Sequence, residues 1–167
     1  MTHLSKSRYT AGTQCHKLLR WKVHEPSAVE LQPDKVLQDR FDQGAHVGTL
    51  ARGTFPGGLL VDLPHHAVDQ RVNLTGKLID DGAPAIFEAS FLADNTFVAV
   101  DVLTPQDGGY HLTEVKSSSS QKEEHLPDAA VQVHVLSRSG IHITGVDVMH
   151  LNKERHFPDL SNVFAPM

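Results

Sequence analysis

Two turn signals, Asp94-Asn95 and Asp107-Gly108-Gly109, constrain the fold of this chain more than any other feature. Both consist of residue types that enter the left-handed backbone region at low cost, which a tight hairpin requires. They separate three runs of strand character, residues 85–93, 96–104 and 110–117, each rich in β-branched and aromatic side chains. Strands joined by such short turns pair with each other, so an antiparallel three-strand meander is expected. Period-two alternation puts Glu114 and Lys116 of Thr113-Glu114-Val115-Lys116 on one face. Asp101 lies in the neighbouring run, Phe97-Val98-Ala99-Val100-Asp101-Val102-Leu103. An acid on one strand and a Glu-x-Lys on its hairpin partner bring two carboxylates and an ammonium to one point. Two carboxylates suit a hard divalent cation, and the lysine can steady developing negative charge or position water. That is the equipment of a metal-dependent phosphodiesterase. As a structural pair in apolar strands, the two acids would be costly to bury unless a cation or protons offset them.

The flanks read mostly as helices. Residues 5–23 form the first, capped by Ser5 or Ser7 and closed by His24-Glu25-Pro26, since a residue before proline avoids helical geometry. It carries Lys17, Arg20 and Lys22 beside Trp21, a cluster that reads first as a solvated face and second as a contact for a nucleic-acid strand. Pro33-Asp34 opens a second helix, with Val36, Leu37, Phe41, Val47, Leu50 and Ala51 on one stripe. Gly44 and Gly48 between them suggest a close approach to a neighbouring element. Phe55-Pro56-Gly57-Gly58 is a turn, Leu59-Leu60-Val61-Asp62-Leu63 a short strand, and 65–80 a third helix stopped by Asp81-Gly82-Ala83-Pro84. The polar stretch 117–124 is a loop beside the site. Over 126–137, the alternation of Val131, Val133 and Val135 favours a strand, while Pro127-Asp128-Ala129-Ala130 is a good helix opening. Residues 141–151 form a last strand. The apolar tail residues Phe157, Leu160, Val163 and Phe164 have nothing to cover nearby, so the chain is expected to be part of a longer protein.

Helices around a meander with one further strand define an α/β fold with a mixed sheet. One domain is the natural reading of 167 residues. Apolar content of 40% and charged content of 21% are those of a soluble globular protein. No apolar run approaches the ~20 residues of a membrane span, and Met1-Thr2-His3-Leu4-Ser5-Lys6 lacks the apolar core of a secretory signal. A cytoplasmic protein with no membrane partner is expected. The net charge of -5 does not advertise nucleic-acid binding, although a phosphodiesterase concentrates carboxylates at its metal site. The 12 histidines are mostly scattered singly and read as surface residues.

Asp101, then Glu114-Val115-Lys116, then Gln132 on a following element resembles the PD-(D/E)XK nuclease superfamily in its RecB-like branch. A closer resemblance is to the N-terminal nuclease domain of a family of large bacterial proteins. It is carried by Leu4-Ser5-Lys6-Ser7-Arg8-Tyr9, Gln14-Cys15-His16-Lys17-Leu18-Leu19, Phe55-Pro56-Gly57-Gly58, Ile86-Phe87-Glu88-Ala89, Asp101-Val102-Leu103, Glu114-Val115-Lys116-Ser117-Ser118 and the stretch 128–132.

The resemblance implies a single domain over residues 1–167 with a restriction-endonuclease-like core, acting as a nuclease, with exonuclease action among the options, on DNA with Mg²⁺ or Mn²⁺. Asp101 and Glu114 would be metal ligands with the Val115 carbonyl, and Lys116 would orient water or stabilise the pentavalent phosphate. Gln132 matches a site-contacting glutamine on a helix, which decides 126–137 in favour of helix. Glu88 is a further acidic candidate, and Asp128 would brace the loop that carries Lys122. His46 stands for the histidine ligand that the branch often supplies from its upstream helix. Lys17 and Arg20 are the nucleic-acid-binding candidates. The branch has a tyrosine four residues after the glutamine, where this chain has Leu136. Some relatives carry an iron–sulfur cluster with one cysteine near the N-terminus and three near the C-terminus. Cys15 sits where the first would be and has no partner before Met167, so a thiol packed behind the first helix is expected and no iron–sulfur cluster. The alternative from another class is a non-catalytic nucleic-acid-binding or assembly module. In either case the missing C-terminal region of the same protein would be a partner.

Overall fold

Both hairpins form where the turn chemistry demands, in a computed structural model that describes residues 3–120, 125–154 and 163–165. Strand β3 (Ile86–Ala93) runs into β4 (Thr96–Gln106) through Asp94 and Asn95, whose φ angles are 48° and 57°. The second turn is Asp107-Gly108, with φ of 52° and 76°, and it leads into β5 (Gly109–Lys116). Gly109 pairs with Gln106 and so belongs to the strand, not to the turn. A Cβ on Gly109 would come within 2.5 Å of the His142 carbonyl oxygen, so glycine there lets the segment before the last strand lie against β5.

The remaining strands among the described residues are β1 (Leu4–Ser5), β2 (Leu59–Leu60) and β6 (Ile143–His150). Among the described residues the helices are α1 (Lys6–Gln14), α2 (His16–His24), α3 (Lys35–Arg52), α4 (Val68–Asp80) and α5 (His125–Arg138). The fold is α/β. Its six-stranded sheet has the order β2-β3-β4-β5-β6, with β1 paired to β4. The meander is antiparallel, while β2 on β3, β6 on β5 and β1 on β4 are parallel. None of the helices is long and apolar enough to cross a membrane, among the described residues.

The larger core joins Ile86, Ala89 and Phe91 of β3, Val98, Val100 and Leu103 of β4, and Val131, Val135 and Leu136 of α5, with Leu74 and Leu78 of α4 packed against it. Ala85, Phe87 and Val102 gather with Phe55, Leu60 and Val115 in a second cluster on the other face. In both meander strands the alternation changes phase at one step. Ala89 and Ile86, three residues apart, share a cluster, and so do Val100 and Leu103. The residues at that step are Glu88 and Asp101, which face each other between the pairs Phe87–Val102 and Ala89–Val100. Glu88 takes a φ of 57°, uncommon for a side chain of its kind. Such irregularities tend to re-aim side chains beside functional sites.

Residues 125–138 are helical although three valines alternate there. Burial decides it: Val131, Gln132, Val135 and Leu136 form one buried stripe at helical spacing. Other expectations change. The first helix is two helices, because Cys15 is extended (φ -162°, ψ 120°) and serves as C-cap of α1 and N-cap of α2. Gly12 places no Cβ against Leu19, whose Cδ2 would lie 3.0 Å from it, so α2 can fold back onto α1. Cys15 is therefore exposed at the corner and is not a packed thiol. On α3 the expected stripe is buried only at Val47 and Ala51, while Val36, Leu37, Phe41 and Leu50 are exposed. Gly44 and Gly48 face open space and mark no close approach. The third helix starts at Val68, after a turn that contains the exposed His65 and His66. The tail residues Phe157 and Leu160 lie outside the described residues.

Candidate functional site: a charged cluster where two strands part

The β4–β5 ladder ends at Val102–Thr113, one step short of Asp101 and Glu114. Beyond it the Val115 N–H donates to Asp101 Oδ2 at 2.7 Å. A side chain thus replaces the ladder bond, and the strands part around a carboxylate. Pairing of Leu4 with Thr96 and of Ser5 with Phe97 sets the start of α1 over the same edge of β4. Ser5 caps that helix by accepting from the Arg8 N–H, and Lys6, its first residue, points into the gap.

Glu114 is 2% exposed and accepts four bonds. Lys6 Nζ reaches Oε1 at 3.0 Å and Oε2 at 3.2 Å, Lys116 Nζ reaches Oε1 at 2.7 Å, and Gln132 Nε2 reaches Oε2 at 2.7 Å. Lys116 also donates to Asp128 Oδ2 at 2.8 Å, and Thr10 Oγ1 donates to Asp128 Oδ1 at 2.9 Å. Gln132 Nε2 makes a second bond, to the Asp128 carbonyl at 3.0 Å. The amide is fully buried, and its Oε1 has no hydrogen-bond partner among the described residues. The structure therefore gathers Asp101, Glu114, Val115, Lys116, Asp128 and Gln132. Asp128 braces Lys116 and α1; Lys122 lies outside the described residues.

The charges do not balance. Asp101, Glu114 and Asp128 face the ammoniums of Lys6 and Lys116, three acids against two bases among the described residues. Burial works against ionisation of Glu114, but Lys6, Lys116 and the Gln132 amide outweigh it and hold the carboxyl below its ordinary range. Asp128 is likewise lowered: burial is overcome by Lys116, Lys6 and the Thr10 hydroxyl. Both lysines are raised despite burial, Lys6 by Glu114 and Asp101 and Lys116 by Glu114 and Asp128. Asp101 carries the surplus. Burial and the repulsion of Glu114 push its carboxyl from 3.8 up to about 7, against the pull of Lys6 and the Val115 N–H.

That surplus fits a hard cation. Mg²⁺ is commonly held through one or two carboxylates with water and substrate oxygens, not in a cage of protein ligands. Asp101 and Glu114 are the side chains that would hold it, with the Val115 carbonyl between Glu114 and Lys116 in the chain. No group of three or more His, Cys, Asp and Glu forms a metal cage among the described residues. His46 is exposed on α3 and shares no hydrogen bond or ion pair with Asp101 or Glu114.

Glu88 turns the other way. Its carboxylate lies 3.6 Å from the guanidinium of Arg71, and its charge adds only the smallest of the named contributions to raising Asp101. On α2, the Lys17 ammonium sits 4.7 Å from the centre of the Trp21 ring, and Arg20 pairs with Glu25 at 2.7 Å. Both basic side chains are on the exposed surface.

Lys6, Thr10 and Arg71 make buried or half-buried polar contacts here that sequence reasoning did not assign them. Arg71 sits on an ordinary amphipathic helix. Thr10 and Lys6 belong to α1, whose link to the site is the two-residue strand β1. The signals for Lys6 were its place directly after a helix-capping serine and within the phrase Leu4-Ser5-Lys6-Ser7-Arg8-Tyr9. Scanned against protein-family models and against curated proteins, the chain matches none.

Proposed function

We propose that this chain is a nuclease domain of the PD-(D/E)XK type, RecB-like branch, that hydrolyses phosphodiester bonds of DNA in the cytoplasm with Mg²⁺ or Mn²⁺. What carries the reading is the convergence of Asp101, Glu114, Lys116 and Gln132, drawn from β4, β5 and α5, on one charged cluster with a surplus carboxylate. The chemistry a bound cation supplies is charge neutralisation at the phosphate and acidification of water. Asp101 and Glu114 would hold it. Gln132 fixes Glu114 through one amide hydrogen and the turn of α5 through the other, which sets the carboxylate's orientation. Lys116, clamped between Glu114 and Asp128, presents an ammonium whose position is set before substrate arrives. It would stabilise the charge that develops on the phosphoryl oxygens as water attacks phosphorus, and preorganised charge of this kind needs no rearrangement during reaction.

Asp101→Ala and Glu114→Ala are the direct test, on linear duplex and single-stranded DNA with Mg²⁺ and with Mn²⁺. Each variant should lose at least about a hundredfold in cleavage rate. Variants that cut at the wild-type rate would overturn the assignment.

One observation favours a second reading, a nucleic-acid-binding module without catalysis. The Lys6 ammonium spans both Glu114 oxygens and so supplies a counter-ion without any metal. Calorimetry with Mn²⁺ on wild type and Glu114→Ala separates the two. Metal binding that Glu114→Ala removes supports the nuclease, whereas no binding, or binding without cleavage of any DNA or RNA, supports the module.

A further inference from the structure

A groove of about 290 Å³ opens on the charged cluster from the side of the helical hairpin α1–α2. Its polar wall is Lys6, Ser7, Thr10, Gln14 and Lys22, and it shares Lys6 and Asp128 with the cluster itself. Asp128 is the acid in this wall, and its carboxylate is already engaged by Lys116 and Thr10. The Lys6 ammonium is likewise engaged, by both oxygens of Glu114, so Lys22 sets the sign of the groove, on a chain whose net charge is -5. Ala11 and Leu18 provide an apolar floor. The Lys22 cation, hydroxyl and amide donors and a small apolar surface match one nucleotide unit: phosphate, then sugar or base. The volume lies near the lower end of small-ligand sites, ~300 Å³, and suits one such unit and not a duplex.

The exposure of the α2 lysines and arginine singles out one of them. Lys17 lies against Trp21 and Arg20 against Glu25, both on the exposed surface. Lys22 is half-buried and lines the groove. A five-residue step along α2, from Lys17 to Lys22, brings the second side chain round to the wall that Lys17 does not reach.

We propose that the α1–α2 groove seats one phosphodiester unit of a single nucleic-acid strand beside the cluster, with Lys22 as its phosphate contact and Ala11 and Leu18 as the surface for sugar or base. The proposal rests on the nuclease reading and adds to it the path by which the strand reaches the site. Phosphate contacts position a strand without reading its sequence, so Lys22 would act equally on all sequences.

The test is fluorescence anisotropy with fluorescein-labelled oligodeoxythymidylate and oligouridylate in EDTA, so that nothing is cut. Lys22→Met should weaken binding about five- to tenfold and lower the slope of log affinity against log salt by about 0.7, the loss of one single-strand phosphate contact. Lys22→Arg should restore both. Lys17→Met removes the same charge from the same helix and should stay within about twofold of wild type. Equal loss in Lys17→Met, a Lys22→Met loss without a change in slope, or failure of Lys22→Arg to rescue would overturn the groove. If wild type binds the strands and Lys22→Met binds them as tightly, the groove fails and the nuclease reading stands. If wild type binds neither strand, the groove fails, and the nuclease reading is decided by the cleavage test on duplex DNA with Mg²⁺ and Mn²⁺.

Discussion

Arg71 on α4 and Lys6 at the head of α1 both turn a cation inward against the sheet, into very different company. Arg71 is 2% exposed and donates to Ser90 Oγ at 3.0 Å, to the Glu88 carbonyl at 3.3 Å and to the Leu63 carbonyl. Ser90 in turn donates to the Glu88 carbonyl, and its own N–H goes to Thr75 Oγ1. The Glu88 carboxylate lies 3.6 Å away as counter-charge. Among the described residues nothing in that cluster is left over. Lys6 enters a cluster with one carboxylate too many, an acid titrating at about 7 and a buried amide oxygen without a partner among the described residues. A charged network that serves structure is closed, with each donor matched and each charge balanced. The Lys6 cluster is left with a surplus carboxylate, which is what the proposed metal site requires. The two meet at one step of the meander, where Glu88 faces Asp101. Arg71 holds the strained Glu88 backbone by its carbonyl, and the same step aims Asp101 at the gap between β4 and β5.

If the Arg71 network is a closed lock, breaking it should give the largest stability effect. Arg71→Met leaves the Leu63 carbonyl without its guanidinium donor, removes one donor each from the Glu88 carbonyl and Ser90, and strips Glu88 of its counter-charge. Urea denaturation should show a loss of about 3 kcal/mol or more. Mn²⁺ affinity, measured well below the melting range, should change little. An Arg71→Met protein as stable as wild type would break the comparison from the structural side.

The two regions were also unequally legible. The meander could be read from sequence because its signals are local: Asp94-Asn95 and Asp107-Gly108 meet the φ requirement of their own turns. Glu114, Lys116 and Asp101 followed from strand period and hairpin adjacency, and Gln132 from a resemblance that overrode the valine alternation. Lys6 was not legible as a site residue, because its place depends on a two-residue strand paired across the chain to Thr96 and Phe97. Cys15 looked like the interior of a helix, since no proline or glycine stands at the break; the break is set by α2 packing back on α1 over Gly12. The apolar stripe of α3 has the right period, yet period says nothing about whether a partner surface exists. Only Val47 and Ala51 find one.

The incomplete cluster should be stabilised by removing its surplus charge. Asp101→Asn keeps an acceptor for the Val115 N–H but cannot ionise. The Asp101 carboxyl is raised from 3.8 to about 7, so its ionised form is a cost to the folded state. That cost is fully present above pH 7, is relieved as pH falls towards 4, and vanishes below the unfolded value. The full shift corresponds to about 4 kcal/mol. Partial access of Asp101 to solvent reduces the expected gain to about 2 kcal/mol. Urea curves in EDTA should therefore show Asp101→Asn more stable than wild type at pH 8 and equal to it near pH 4. Glu114 has the opposite sign: its lowered pKa contributes stability above 4.5 that is lost as pH falls further, in both proteins alike. A variant less stable than wild type at pH 8 would mean that Asp101 is a settled partner of Lys6 and that the cluster is not short of a cation.

The smallest expected effect bears on Lys6 and asks what kind of counter-ion it is. Its ammonium spans both oxygens of Glu114, the carboxylate proposed to hold Mg²⁺ or Mn²⁺. A tethered cation in that place repels a second cation and must move or share before one binds. Lys6→Met removes the competitor and leaves Lys116, Gln132 and Asp128 to keep Glu114 oriented. Mn²⁺ affinity by calorimetry should rise about tenfold, equivalent to about 1.4 kcal/mol. The gain stays modest because the Lys6 side chain, 24% exposed, is near enough to water for its charge to be screened and displaced at limited cost. Lys6→Arg keeps the charge and should not show the gain. If Lys6→Met weakens Mn²⁺ binding instead, Lys6 is part of what holds Glu114 in place. Its cluster would then be closed in the same sense as the Arg71 network, and the contrast between the two would fail at its more interesting end.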